Sequence, residues 1–297
     1  MGYCNSPAFI RMKAINTFRK DAAHVMPSHL TIEIETGVMV VTMNKPPANA
    51  IDTEFSNELY RAFKLLEDDD RLRVAILIGG ENRKRIFSAG WDLKAVARGD
   101  GRDADKGFDL GPGGIGGLPE FFERTKPVIA AVNGAAVGGG FELAMSTDII
   151  VASEEAYFSL PEMQRGFLPD GGAVQRLHRL VPYNVAMDLM LTGRKMSAQE
   201  ARHWGMVRDV VPRGQILGHT LEIARNIAAG APLVVRALRQ FMRATAHLST
   251  EAAHQISKQA WVGQSGLHHY ERMLTSEDFD EGAIAFTEKR QARFKGH

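Results

Sequence analysis

From residue 30 onward the chain is written in two hydrophobic periods. Leu30 to Glu35 alternates apolar and polar side chains, the pattern of a half-buried strand. Thr36-Gly37 turns the chain, and Val38 to Met43 reads as a second strand, so the two form a hairpin. Asn44 to Pro47 breaks the pattern. Asp52 or Thr53 then caps a helix reaching about Glu67, with Phe55, Leu59, Phe63 and Leu66 on one face. Val74 to Ile78 is a short apolar strand, and a helix is expected to begin at Leu93. The stretch from Arg98 to Gly117, rich in Gly and Asp, reads as a surface loop, with Gly111 to Gly114 as hinge or lid material. A helix is expected near Leu118 to Arg124.

The apolar run after Pro127 has the character of a buried strand, ended by Asn133-Gly134. Gly138, Gly139 and Gly140 follow, and Phe141 to Met145 looks like the first turns of a helix. Asp148 to Ala152 and Ala156 to Leu160 are further short apolar runs, and Pro169 to Gly172 opens another helix. Beyond Pro182 the pattern is almost wholly helical, with one short strand over Met206 to Val211. Strands separated by helices predict a mostly parallel α/β core. The expected division is an extension over 1–28, a core over 29–225 and a helical region over 226–297.

Composition narrows the class. Of 297 residues, 44% are hydrophobic and 24% charged, and the formal net charge is +1, ordinary values for a globular protein. That balance gives no general attraction to nucleic acid or an anionic membrane, and no apolar run approaches a membrane span. Cys4 is the single cysteine, which excludes an intrachain disulfide framework and favours a reducing compartment; a cytoplasmic location is expected. The segment 1–28 carries Arg11, Lys13, Arg19 and Lys20 but no apolar block, and is expected to be disordered or a non-native extension.

The chemistry concentrates where small residues follow strands. Glycines let bare backbone N–H groups approach a ligand, and the free N–H groups at a helix start favour negative charge on it. Glu142 lies just inside the helix after the triple glycine, and Glu162 follows the run ending at Leu160. If those two runs are neighbouring parallel strands, both carboxylates reach one edge of the sheet. Burial and like charge then push at least one pKa up, so that one group is ionised while the other keeps its proton. That arrangement suits adding or removing water across a double bond. A glycine cluster by itself is only a tight connection, and no dinucleotide fingerprint or P-loop lysine accompanies this one. Arg83-Lys84-Arg85 is too short a basic run to argue RNA binding.

Taken together, several segments resemble the enoyl-CoA hydratase/isomerase, or crotonase, family. They are Pro47 to Ile51, Phe87 to Leu93, Lys126 to Glu142, Leu160 to Glu162, Gly166 to Gly172 and Thr192 to Arg194. The resemblance implies an α/β fold with a ββα spiral core and a helical C-terminal trimerisation region. It implies an acyl-CoA thioester as substrate, with coenzyme A part of that substrate and no separate cofactor or metal. The thioester oxygen would be held by backbone N–H groups that fall on Trp91 and Gly139, and Glu142 and Glu162 fall on the two catalytic glutamates of hydratases. Ala89 falls where a backbone carbonyl meets the adenine. Phe286 and Lys289 fall on a C-terminal segment that reaches coenzyme A, across a subunit boundary in a homotrimer or hexamer.

Segments around Ser88 to Ala95, Phe108 to Gly114 and Ser276 to Gly282 resemble most the branch of the family that acts on crotonobetainyl-CoA, whose acyl group carries a trimethylammonium. A ring such as Trp91 suits that cation, and Asp170, which stands where common hydratases have glycine, adds negative charge. The expected activity is reversible hydration of a 2-enoyl-CoA, with crotonobetainyl-CoA favoured. The alternative is a short-chain enoyl-CoA hydratase of fatty-acid oxidation, or an isomerase.

Overall fold

The computed structural model describes residues 29–81, 84–103, 105 and 107–297. The expected extension over 1–28, and Arg83 of the short basic run, lie outside the described residues.

The strands in chain order are β1 (Leu30–Glu35), β2 (Val38–Met43), β3 (Val74–Gly79), β4 (Ile86–Ser88), β5 (Arg102–Asp103), β6 (Gly107–Phe108), β7 (Val128–Val132), β8 (Ala135–Val137), β9 (Ile149–Ser153), β10 (Tyr157–Ser159), β11 (Met196–Ser197) and β12 (Asp209–Val211). They form a six-stranded sheet ordered β1-β2-β3-β7-β9-β12, a four-stranded sheet ordered β11-β10-β8-β4, and the small β5-β6 hairpin. Only β1 runs antiparallel in the large sheet, paired to β2 from Leu30↔Met43 to Glu35↔Val38. The other pairings there are parallel, from β2 with β3 through β7 and β9 to β12. The mostly parallel core expected from the alternating pattern is therefore present.

The central strands β3 and β7 are buried throughout, as near-continuous apolar runs require. One face of the large sheet packs on the helix Thr53–Asp68, whose buried residues include Phe55, Leu59, Phe63 and Leu66. Asp52 caps that helix by accepting from the Phe55 N–H at 2.9 Å. The opposite face packs on the helix Ile216–Ala228 through Ile216, Leu221, Ile223 and Ala224. That helix crosses the boundary expected near residue 225.

Besides the loop over 98–117, whose residues 113–117 are buried rather than on the surface, two local expectations are corrected. Leu118 to Arg124 is not a helix. It is a run of tight turns with Phe121 N–H bonded to Leu118 O and Arg124 N–H to Phe121 O. Its exit is tied elsewhere: Glu67 accepts from the backbone N–H groups of Thr125 and Lys126, and the buried Arg124 guanidinium donates to Lys126 O and Asp148. The second correction is β8, a strand of its own directly after the Asn133-Gly134 turn. The chain continues past Pro232 in the helices Pro232–Thr245, Thr250–Ala260, His268–Leu274 and Glu277–Thr287. Among the described residues, no helix is long and apolar enough to cross a membrane.

Candidate active site

The four-stranded sheet positions the chemistry. β8 lies between β4 and β10 and runs parallel to both, with Ser88↔Ala136 on one side and Phe158↔Ala136 and Ser159↔Val137 on the other. The carboxyl ends of all three strands therefore open on one edge, where α/β sheets place their ligands. Trp91 follows β4, Gly139 and Glu142 follow β8, and Glu162 follows β10. The run after Pro127, the strand expected to lead to Glu142, is instead β7 of the six-stranded sheet, paired with β3 and β9; it is β8 that lies parallel beside β10 and brings Glu142 next to the strand of Glu162.

At that edge two turns meet backbone to backbone. Gly90 has φ +78°, and a Cβ built on it would lie 2.7 Å from Gly139 N. A Cβ on Gly139 would lie 3.5 Å from Trp91 N. The Gly90-Trp91 turn is held by Ser88, whose Oγ donates to Asn49 O at 2.8 Å and accepts from Gly90 N at 3.2 Å. Around the bridge between Ile51 and Trp91, Ile51 N–H donates to Gly90 O and Asp92 N–H to Ile51 O, which leaves the Trp91 N–H out of the ladder. Gly139 is the first residue of the helix Gly139–Met145, so its N–H has no partner within the helix. Two main-chain donors thus face the same space.

Glu142 projects from that helix into a nearly dry environment, 3% exposed. Its Oε1 accepts from Ala173 N at 3.0 Å, at the start of the helix Ala173–Leu180. Burial pushes its pKa from 4.5 up to about 7; the Ala173 hydrogen bond and Arg176 oppose the rise, while Glu162 and Asp170 add to it. Glu162 is also raised, chiefly by burial, against its backbone hydrogen bond and Arg165. Its Oε2 is buried with no hydrogen-bond partner among the described residues, the condition of a group that waits for a ligand or water.

Both carboxylates line one cleft of about 460 Å³, within the usual range for small-molecule sites. Ala89, Trp91, Gly139 and Asp170 line it as well, so six of the eight residues singled out from the sequence come together. Phe286 and Lys289 do not: they lie at the end of the helix Glu277–Thr287, away from the cleft lining, with Phe286 largely exposed. Phe108, Leu110, Ile115, Glu120, Arg165 and Phe167 also face the cleft. Sequence reasoning assigned none of them a role. For Phe167 a signal existed, since an aromatic between Gly166 and Leu168-Pro169 has no strand or helix face to pack it.

Two carboxylates of raised pKa and the backbone N–H groups of Trp91 and Gly139 thus come together at one cleft, set in the crotonase fold. The chain belongs to the enoyl-CoA hydratase/isomerase family, whose profile matches residues 33–297. Over 260 residues it is 45% identical to a carnitinyl-CoA dehydratase from Salmonella arizonae, covering 88% of this chain and 95% of that protein. A protein of the same name from Salmonella paratyphi B is 45% identical over 259 residues, 87% of this chain and 95% of the relative. Among solved structures, an enoyl-CoA hydratase from Mycobacterium tuberculosis superposes with a TM-score of 0.78 at 35% identity, covering 91% of this chain and 99% of that one. One from Bacillus anthracis gives 0.77 at 30% identity, covering 91% and 100%.

Proposed function

We propose that this chain catalyses the reversible hydration of a 2-enoyl-CoA to a 3-hydroxyacyl-CoA. The observation that carries the reading is the convergence of Glu142 and Glu162 on one cleft, beside the N–H groups of Trp91 and Gly139. In the forward direction water adds its oxygen to C3 and gives a proton to one glutamate. The other glutamate gives a proton to C2. The negative charge that builds on the thioester oxygen between these events is held by the two backbone donors, an effect worth about 3–4 kcal/mol for each donor. Burial supports the division of labour, because two nearby carboxylates in a dry site share one proton more easily than they ionise together.

Crotonobetainyl-CoA is the favoured substrate, supported by the similarity to proteins named carnitinyl-CoA dehydratase. The reaction then interconverts it with carnitinyl-CoA. The assay is a comparison of crotonobetainyl-CoA with crotonyl-CoA, following loss of the conjugated thioester absorbance. Faster turnover of crotonyl-CoA overturns the favoured acyl group, and hydration of neither overturns the activity.

Self-association as a homotrimer or hexamer belongs to the same reading. Its support is an apolar stripe on the helix Pro232–Thr245, where Val234, Leu238 and Met242 are exposed at helical spacing.

A further inference from the structure

The cleft carries more aromatic surface than proton transfer requires. Phe108 and Phe167 stand in it 51% and 37% exposed. Both close on Trp91 edge to face: the Trp91 and Phe108 rings are 4.8 Å apart at 74°, and those of Trp91 and Phe167 are 5.7 Å apart at 61°. The rings come from separate segments, Trp91 after β4, Phe108 at the end of β6 and Phe167 in the loop after β10. They meet only in the folded chain, and they meet where the two glutamates open.

Charge in the wall is also one-sided. Besides the glutamate pair, Asp109, Glu120 and Asp170 line the cleft, against Arg165 as its arginine. Asp170 adds to the upward shift of the Glu142 pKa, which Arg176 opposes, and Arg165 opposes that of Glu162. A neutral alkyl tail gains little from this arrangement. A fixed cation gains from ring faces and from carboxylates in one partly dry recess.

We infer that Phe108 and Phe167, closing on Trp91, form a recess that binds a quaternary ammonium at the end of the acyl group, with Asp170 supplying compensating charge. The inference rests on the hydratase reading of the same cleft and adds the residues that select the acyl group. The aromatic rings attract the cation through their faces, an effect that reaches about 2 kcal/mol in desolvated sites. The selection is made next to the reacting carbons, because the ammonium nitrogen of crotonobetainyl-CoA sits on C4, which is bonded to the C3 that takes the water oxygen.

The test compares crotonobetainyl-CoA with its tert-butyl isostere, in which a quaternary carbon replaces the ammonium nitrogen. Shape is constant and only charge differs. The native protein is expected to favour the cation by roughly 10-fold or more in kcat/KM. The double variant Phe108→Leu/Phe167→Leu keeps apolar bulk but loses the rings, and its preference is expected to fall toward one, chiefly through KM. Asp170→Asn, at an exposed position, is a second variant expected to lower the preference several-fold. Equal rates on the two thioesters by the native protein, or a preference unchanged in both variants, overturn the recess while leaving the hydratase reading intact. Absence of hydration of both thioesters is instead the failure of that reading.

Discussion

Gly171 backs directly onto Glu142: a Cβ at position 171 would stand 2.8 Å from Glu142 Oε2 and 2.7 Å from Ile115 Cγ2. The carboxylate is thus wedged between the Ala173 N–H and a backbone that has no room for a side chain. Gly138 has the same relation to Glu162, since its Cβ would run into Oε1, and φ of +54° adds strain. Gly171→Ala is expected to displace the Glu142 carboxylate and lower kcat roughly 10-fold or more, because small misplacements at a reacting group are costly. Steady-state kinetics with unchanged kcat would contradict the wedge.

Glu142→Gln and Glu162→Gln each remove a proton carrier with little change of shape. Each is expected to lower kcat by roughly 100-fold or more, the usual span for general acid–base catalysis. A double variant hardly worse than either single one is expected if the two act as a unit. Near-native turnover in both single variants would remove the glutamates from the mechanism.

Glu142 also couples stability to pH. Its pKa in the fold is about 7, raised from 4.5. The folded chain therefore holds this proton when the unfolded chain has already released it. The Glu142 contribution to stability is greatest below about pH 4.5, declines as pH rises and levels off above about pH 7. Glu142→Gln abolishes that decline. The variant is expected to exceed the parent protein in stability at pH 8 by roughly 3 kcal/mol, with a smaller gap at pH 5. Urea denaturation at the two pH values reads the difference, and an equal gap at both would show that burial does not hold this proton.

Gly90→Ala attacks the oxyanion cradle. Its Cβ would press between Val137 O and Gly139 N, at a φ of +78° that suits glycine. Spreading the two turns is expected to cost on the order of 100-fold in kcat, comparable to losing one oxyanion donor. The readout is kcat together with the affinity for an inhibitor that carries an enolate-like oxygen. If both persist, the donors lie elsewhere.

The exposed stripe on the helix Pro232–Thr245 gives the assembly prediction. Leu238→Glu with Met242→Glu puts charge where apolar burial is expected. Sedimentation is expected to show the native chain as a trimer or hexamer and the double variant shifted toward monomer. A native monomer would overturn the assembly.

The acid pair was legible because each glutamate is an isolated charge in an apolar setting just after a strand or a glycine turn; the strand that sets the two side by side was not. The helix Thr53–Asp68 was legible for a similar reason: Asp52 caps it, and its apolar face repeats over four turns. β8 escaped notice because Ala135 to Val137 is too short to show a period and directly follows a turn. The turns over Leu118 to Arg124 carried helical residue types. Their conformation is decided by distant partners, Glu67 and Asp148, which no local pattern reveals. The aromatic trio was hidden for the same reason, with Trp91, Phe108 and Phe167 far apart in sequence and joined only by the fold.

Phe108, paired with Arg102, belongs to a two-residue ladder, β5-β6, that among the described residues forms a sheet of its own apart from the two larger ones. Substitutions, insertions or deletions in that hairpin therefore leave the main ladders untouched. A lineage can exchange the residues that choose its acyl group there while inheriting the proton-handling pair unaltered, so new substrate preferences arise without rebuilding the catalyst.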